Sequence, residues 1–174
     1  DAQESRGLGD VYKRQVRDMA RAGVSVSLGT DGACSNNSLD MFETMKLAAI
    51  LAKGYSGDAT AVPAMQALKM ATEEGARMFR TPGLGTLVPG APADMIALNL
   101  DEPNLCPIFN EASHAVYAAS GKDCVFTMVE GKILYDHGIY TDGLYADTAA
   151  EMRDLVEWVT VSYTHLTLPT ILLV

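Results

Sequence analysis

Alternation of apolar and polar residues predicts a buried strand in the first part of the chain. In residues 24–28, two valines and a leucine alternate with two serines, and the run stops at Gly29. A period of two is the pattern of a β-strand. Asp31 follows two residues later, and Gly32 lets the backbone turn sharply behind it. The pattern therefore predicts a strand that delivers a carboxylate to the edge of a sheet, although a plain Asp-Gly turn explains the same residues.

Helical spacing of apolar residues predicts helices on both sides of this strand. Residues 16–23 read as the end of a helix that a glycine closes. Apolar residues recur at helical spacing over residues 39–53, and Pro63 begins a second helix that extends to Phe79. The polar residues 33–38 read as a loop. Helices that flank a buried strand in this order are typical of an α/β fold.

The pattern changes at Gly83 to short apolar runs that turn residues separate. A short strand, a Pro-Gly turn and an apolar strand are predicted over residues 84–100, and further strands over residues 115–118 and 124–135. The dipeptide Glu130-Gly131 divides the last run and predicts a β-hairpin. Helical spacing returns from Thr148. A small β-domain and a closing helix therefore follow the helical part.

The two ends of the chain are related as reverse complements at the level of DNA. If Asp10–Gln15 is encoded by gat gtg tat aag aga cag, the complementary strand encodes Val161–His165 in a shifted frame. Two unrelated protein ends have no reason to share this relation, whereas a sequencing adapter read through at both edges of a fragment produces it. We therefore predict that residues 1–15 and 161–174 derive from an adapter and take no part in the fold.

The acidic composition narrows the classes of partner. The chain carries 13 basic and 22 acidic residues, a net charge of −9, and removing both ends leaves this charge unchanged. Such acidity argues against nucleic acid and against an anionic membrane surface as partners. The three cysteines of the chain are irregularly spaced. This spacing favours a reduced, cytoplasmic protein over one with a disulfide framework or a structural zinc site.

Several segments, in order, resemble the amidohydrolase superfamily. Leu28-Gly-Thr-Asp-Gly-Ala33, then Ser35-Asn-Asn37 and Asp40-Met-Phe-Glu43, resemble the end of its last barrel strand. Gly85–Ala97 resembles its return into a β-sandwich, and Val129–Leu134 resembles its closing hairpin. The resemblance implies the C-terminal part of a (β/α)₈ barrel in residues 16–82, a β-sandwich segment in residues 83–147 and a C-terminal helix in residues 148–160.

Within the superfamily, the Gly-Thr-Asp-Gly-Ala pattern and the segments after it resemble the 5′-methylthioadenosine/S-adenosylhomocysteine deaminases. These enzymes release ammonia from an adenosine-type nucleoside and hold one divalent metal, zinc or iron, through histidines and one aspartate. Only the aspartate has a counterpart here, Asp31. The resemblance implies that Asp31 ligates the metal, with zinc favoured, transfers a proton during catalysis and contacts the substrate.

The histidine ligands implied by the resemblance have no counterpart in residues 16–160. His114 reads as a structural residue and His137 as a surface residue, and one aspartate cannot hold a catalytic metal. We therefore predict that this chain is inactive by itself, cannot bind the metal alone and is poorly soluble, whereas its parent is an enzyme.

Two alternatives to the nucleoside deaminase stay open. Another aminohydrolase of the superfamily, such as a guanine deaminase or a chlorotriazine-type hydrolase, would share Asp31 but not the substrate pocket. A non-catalytic scaffold would keep the barrel and lose the metal. For the enzyme, the expected partner is a small nucleoside, with no nucleic acid and no membrane, and the parent is expected to form a homo-oligomer.

Overall fold

The computed structural model describes residues 16, 18–19, 21–141 and 143–163. The adapter segment predicted at residues 1–15 lies outside this part of the chain, as do residues 164–174 of the one predicted at 161–174. Residues 161–163 of that second segment are described and form the last turn of helix α6. The described helices and strands are α1 (Ala33–Asn36), α2 (Met41–Ser56), α3 (Ala64–Ala71), α4 (Glu73–Met78), β1 (Met95–Leu98), α5 (Glu111–Tyr117), β2 (Cys124–Val129), β3 (Lys132–Asp136), β4 (Ile139–Tyr140) and α6 (Leu144–Tyr163).

Helix α2 confirms the helix predicted over residues 39–53 and extends it to Ser56. Asp40 caps its start, since its side chain accepts a hydrogen bond of 2.8 Å from the backbone N–H of Phe42. Gly57 ends it with φ 65°, a left-handed conformation that glycine adopts without strain. The apolar face of α2 therefore begins one turn after the loop that carries Asp31.

The single helix predicted from Pro63 to Phe79 is two helices, so that prediction was wrong in its continuity. Thr72 interrupts it with φ −126° and ψ −91°. The turn at Gly85 packs against this break: a Cβ at Gly85 would lie 2.7 Å from the carbonyl carbon of Thr72. A tertiary contact thus accompanies the break between α3 and α4. The helical spacing of apolar residues does not reveal this contact, so the break could not be predicted from it.

The four strands form one antiparallel sheet in the order β1-β2-β3-β4. The predicted hairpin at Glu130-Gly131 is confirmed. These two residues have φ 50° and 76°, which are the positive angles of a type I′ turn. Asp94 supports the turn, because its carboxylate accepts a hydrogen bond of 2.6 Å from the N–H of Glu130.

Two other predicted strands do not form. Residues 84–86 are turns, and residues 115–118 lie in and directly after helix α5. Asn110 starts that helix by accepting a hydrogen bond of 2.8 Å from the N–H of Ser113. An apolar run of four residues fits a strand and a helix equally well, so the cap decided the outcome. The loop predicted at residues 33–38 likewise contains the short helix α1.

The segment 24–28 is not part of the sheet. Among the described residues no strand pairs with it, and a β-strand exists only where a neighbour completes its hydrogen bonds. Its last residue is held instead by a bond of 2.9 Å from the N–H of Leu28 to the carbonyl of Met70. The helices and the antiparallel sheet fit a partial α/β fold, and the closed barrel stays a prediction.

The core lies where α2, α3 and α5 pack together. Its fully or nearly fully buried side chains are those of Phe42, Met45, Ala49, Val62, Ala67, Met70, Leu105, Val116 and Ala119. Lys53 ties α2 to this core with hydrogen bonds of 2.8 Å to the carbonyl of Val62 and 2.9 Å to the hydroxyl of Tyr117. No helix in the described part of the chain is both long enough and apolar enough to cross a bilayer.

One face of the helical part leaves apolar side chains in contact with solvent. Val24 is 51% exposed, and about half of the surface of Leu47, Ile50 and Leu51 on α2 is exposed as well. Single exposed apolar residues are common on proteins, but several on one helix mark a surface that favours contact with other protein atoms.

Candidate functional site

Asp31 lies at the point where the segment 24–28 gives way to helix α1. Its backbone has φ 59°, a left-handed conformation that aspartate tolerates better than most residues. Its Oδ1 accepts a hydrogen bond of 2.7 Å from the N–H of Gly32, which fixes the direction of the side chain. The residue is exposed. The carboxylate thus faces solvent at the end of this segment. Its predicted place at the edge of a sheet is not seen among the described residues, because the segment 24–28 pairs with no strand there.

Hydrogen bonds keep this carboxylate in its charged form. The backbone N–H of Gly32 is the main cause that lowers the pKa of Asp31 from 3.8, and the side chain of Ser35 lowers it further. Donors that bond to the ionised form stabilise it relative to the protonated form. Asp31 is therefore an anion throughout the neutral pH range, which is the state in which a carboxylate binds a cation.

Helix α1 folds the loop around Asp31 back on itself. The side-chain nitrogen of Asn36 donates to the carbonyl of Thr30 at 2.8 Å and to the carbonyl of Ser38 at 3.1 Å. The hydroxyl oxygen of Ser35 lies 3.1 Å from the carbonyl oxygen of Gly32. One amide group thus joins the residue before Asp31 to the residue at which the loop ends.

Asp40 connects this loop to the β-sheet part of the molecule. Besides capping α2, its Oδ2 accepts a hydrogen bond of 2.8 Å from the N–H of Gly121, which precedes β2. A side chain at position 121 would come within 3.3 Å of the same oxygen. One sequence signal points to Asp40: it is an aspartate directly before an apolar helical run. Its second bond was not foreseeable, since Gly121 lies 81 residues away.

The structure brings neither predicted histidine into a shared group with Asp31. His114 is held within its own segment, with Nδ1 2.9 Å from the carbonyl of Asn110 and Nε2 3.1 Å from that of Pro107. His137 is exposed and pairs with Asp136, the residue directly before it in the chain. Both placements agree with the structural and surface roles that we expected for them.

The described residues supply one candidate metal ligand at this site, the carboxylate of Asp31. Within them, no three side chains of histidine, cysteine, aspartate or glutamate converge to hold a metal ion. A catalytic zinc takes three protein ligands and leaves one position for water. The carboxylate of Asp31 fits one ligand position of such a site, and the described residues do not complete it. We therefore derive no metal-dependent step from these residues alone.

The sequence and the fold together place the chain in a family. A model of the amidohydrolase family matches residues 10–134, which include Asp31, its loop and most of the sheet. The chain belongs to the amidohydrolase family. Asp31 therefore lies inside the part of the chain that carries the family pattern.

Two similar relatives are named deaminases. The chain is 49% identical over 144 residues to a 5-methylthioadenosine/S-adenosylhomocysteine deaminase from Nitratidesulfovibrio vulgaris, a match that covers 83% of this chain and 33% of the relative. It is 47% identical over 131 residues to a 5′-deoxyadenosine deaminase from Methanosarcina acetivorans, covering 75% of this chain and 29% of that protein.

A solved amidohydrolase-fold structure shows the same arrangement. The chain superimposes on a zinc-bound adenosine deaminase from Xanthomonas campestris with a TM-score of 0.79 and 33% identity, over 82% of this chain and 33% of that one. The chain thus spans about a third of the length of the relatives that it matches.

Proposed function

We propose that this chain is the part of a metal-dependent amidohydrolase that contributes Asp31 to the active site, and that the whole enzyme deaminates an adenosine-type nucleoside such as 5′-methylthioadenosine or S-adenosylhomocysteine. The observation that carries the proposal is the fixed, ionised carboxylate of Asp31 within a segment that matches the amidohydrolase family. The names of the most similar relatives support the substrate class.

The chemistry gives this carboxylate a reason to be there. Hydrolysis at an aromatic amidine carbon needs a hydroxide at neutral pH, which a bound divalent metal supplies by lowering the pKa of its water. Zinc is the metal that we propose, since the similar adenosine deaminase binds it. The other ligands would come from the two thirds of the relatives' length that this chain does not span.

The geometry favours one of the roles expected for Asp31. A carboxylate whose pKa lies below its ordinary value is a good anionic ligand and a weaker proton acceptor. We therefore place Asp31 first as a metal ligand, and as a proton acceptor and substrate contact once substrate is bound. The proposed domain boundaries at residues 82 and 147, the homo-oligomer and the cytoplasmic location stay predictions.

A hybrid enzyme tests the proposal. In it, residues 16–160 of this chain replace the matching third of the Nitratidesulfovibrio vulgaris deaminase, and ammonia release from methylthioadenosine and metal content are both measured. We expect an active, zinc-containing hybrid. The Asp31→Asn substitution should lower kcat/KM by about 1,000-fold or more and reduce the zinc content, because it removes a charged ligand.

Asp101→Asn is the matched control, because Asp101 is an exposed aspartate in a loop of the β-sheet part. It should leave both readouts unchanged. Full activity in the Asp31→Asn hybrid would show that Asp31 is not an active-site residue. A folded hybrid that binds zinc but deaminates no adenosine-type nucleoside would point to another substrate, and one that takes up no metal would point to a scaffold.

A further inference from the structure

Asn36 occupies a position from which it controls the geometry of Asp31. Its side-chain nitrogen reaches two backbone carbonyls, at 2.8 Å on Thr30 and at 3.1 Å on Ser38. Thr30 directly precedes Asp31, so the peptide that carries one of these carbonyls is the peptide that leads into Asp31. The second carbonyl marks the end of the loop, two residues before the cap of α2.

The backbone at Asp31 needs such support. A positive φ is a sparsely populated conformation for a residue with a side chain, and it persists where surrounding contacts enforce it. The N–H of Asn36 also donates to the carbonyl of Gly32 at 3.0 Å, so the same residue holds the chain on both sides of Asp31. Its contacts constrain where the carboxylate lies without touching it.

We propose that Asn36 is a positioning residue that sets the place of the Asp31 carboxylate through its bonds to the carbonyls of Thr30 and Ser38, and so tunes the affinity of the whole enzyme for its metal. This inference rests on the proposed function of Asp31. It assigns Asn36 no contact with metal or substrate. Replacing a residue that orients a metal ligand without contacting the metal typically lowers metal affinity or activity by about 10- to 100-fold.

Two substitutions in the hybrid enzyme test this role. Asn36→Ala removes the amide, and Asn36→Asp keeps its shape but replaces the donor with a carboxylate that faces two carbonyl oxygens. We expect the zinc concentration for half-maximal activation to rise by about 10- to 100-fold in Asn36→Ala and by at least as much in Asn36→Asp. Excess zinc should recover part of the activity of Asn36→Ala, which loss of folding would not allow.

Asn104→Ala is the matched control. The side-chain nitrogen of Asn104 also donates to two acceptors, the carbonyl of Ala118 at 3.1 Å and the carboxylate of Asp123 at 3.0 Å. Its loss should lower the melting temperature by as much or more, because Asp123 is buried, and should leave the zinc midpoint unchanged. Thermal melting of each hybrid separates stability from metal affinity.

The outcomes separate this inference from the proposed function. An unchanged zinc midpoint in Asn36→Ala, with a melting temperature lowered as in Asn104→Ala, would overturn the positioning role of Asn36. It would leave the proposed deaminase function unaffected. If the unsubstituted hybrid is inactive, hydrogen exchange at the amides of residues 31–37 decides. Faster exchange in Asn36→Ala supports the positioning role, and unchanged exchange overturns it. If the hybrid does not fold, the same variants are made in the complete enzyme from the source DNA.

Discussion

The β2–β3 hairpin and the segment 24–28 differ in where their hydrogen-bonding partners lie along the chain. Each strand of the hairpin pairs with its neighbour across a two-residue turn, and Asp94, the residue before β1, holds that turn with a hydrogen bond. Within the described residues, the backbone of the segment 24–28 makes hydrogen bonds only at its ends, to Met19 and Met70. An antiparallel hairpin can complete itself from adjacent sequence, whereas a parallel strand needs neighbours that are distant along the chain.

The difference bears directly on the candidate site. Asp31 follows the segment that lacks strand partners, and its geometry comes instead from the short-range bonds of Gly32, Ser35 and Asn36. The loop around Asp31 is therefore formed locally, although the segment that leads into it is not part of a sheet. A carboxylate can be oriented by its own loop while its position relative to other ligands depends on residues farther away.

The largest expected effect is in hydrogen exchange. In this chain, the amides of β2 should exchange about 100-fold or more slowly than those of Ser25 to Ser27, because opening a laddered strand costs several kcal/mol. In the hybrid enzyme, residues 25–27 should gain comparable protection, because the predicted barrel would place a strand on each side of them. Equal protection of both segments in this chain alone would contradict the comparison, as would no gain in an active hybrid.

A smaller effect is expected where the turn of Gly85, which precedes the sheet, packs against the break between α3 and α4. Gly85→Ala should lower the free energy of unfolding by about 3 kcal/mol or more, since its Cβ would meet the backbone of Thr72 and its φ is 78°.

Gly90→Ala provides the control for this substitution in urea denaturation. Gly90 has φ 87° with no atom near its missing Cβ, so its replacement should cost only the left-handed backbone, roughly 1–2 kcal/mol. Equal losses in the two variants would show that the contact with Thr72 contributes nothing to stability.

The smallest expected effect is on the titration of Asp31. The lowered pKa means that the folded state is favoured above pH 3.8 and loses this contribution as the pH falls through the folded-state pKa. Ser35→Ala should raise the pKa of Asp31 but leave it below 3.8, because the bond from Gly32 is the larger cause. NMR titration of the metal-free protein measures it, with Ser113→Ala as control. A rise of the Asp31 pKa to 3.8 or above in Ser35→Ala would show that Ser35, and not Gly32, is the main cause of the lowered pKa.

Residue patterns predicted the elements whose causes are local. The hairpin follows from Glu130-Gly131, because a type I′ turn needs residues that accept positive φ. Helix α2 follows from its apolar spacing and from an aspartate at its start. In each case the residues that decide the outcome lie within a few positions of one another.

Only the tertiary structure decided the features that depend on distant residues. The break at Thr72 arises from Gly85, the bond between Asp40 and Gly121 spans 81 residues, and residues 115–118 became the end of a helix because Asn110 caps it. The segment 24–28 has a strand pattern but no strand neighbour among the described residues. A residue pattern states which conformations suit a segment, and the hydrogen bonds and contacts of the folded chain select among them.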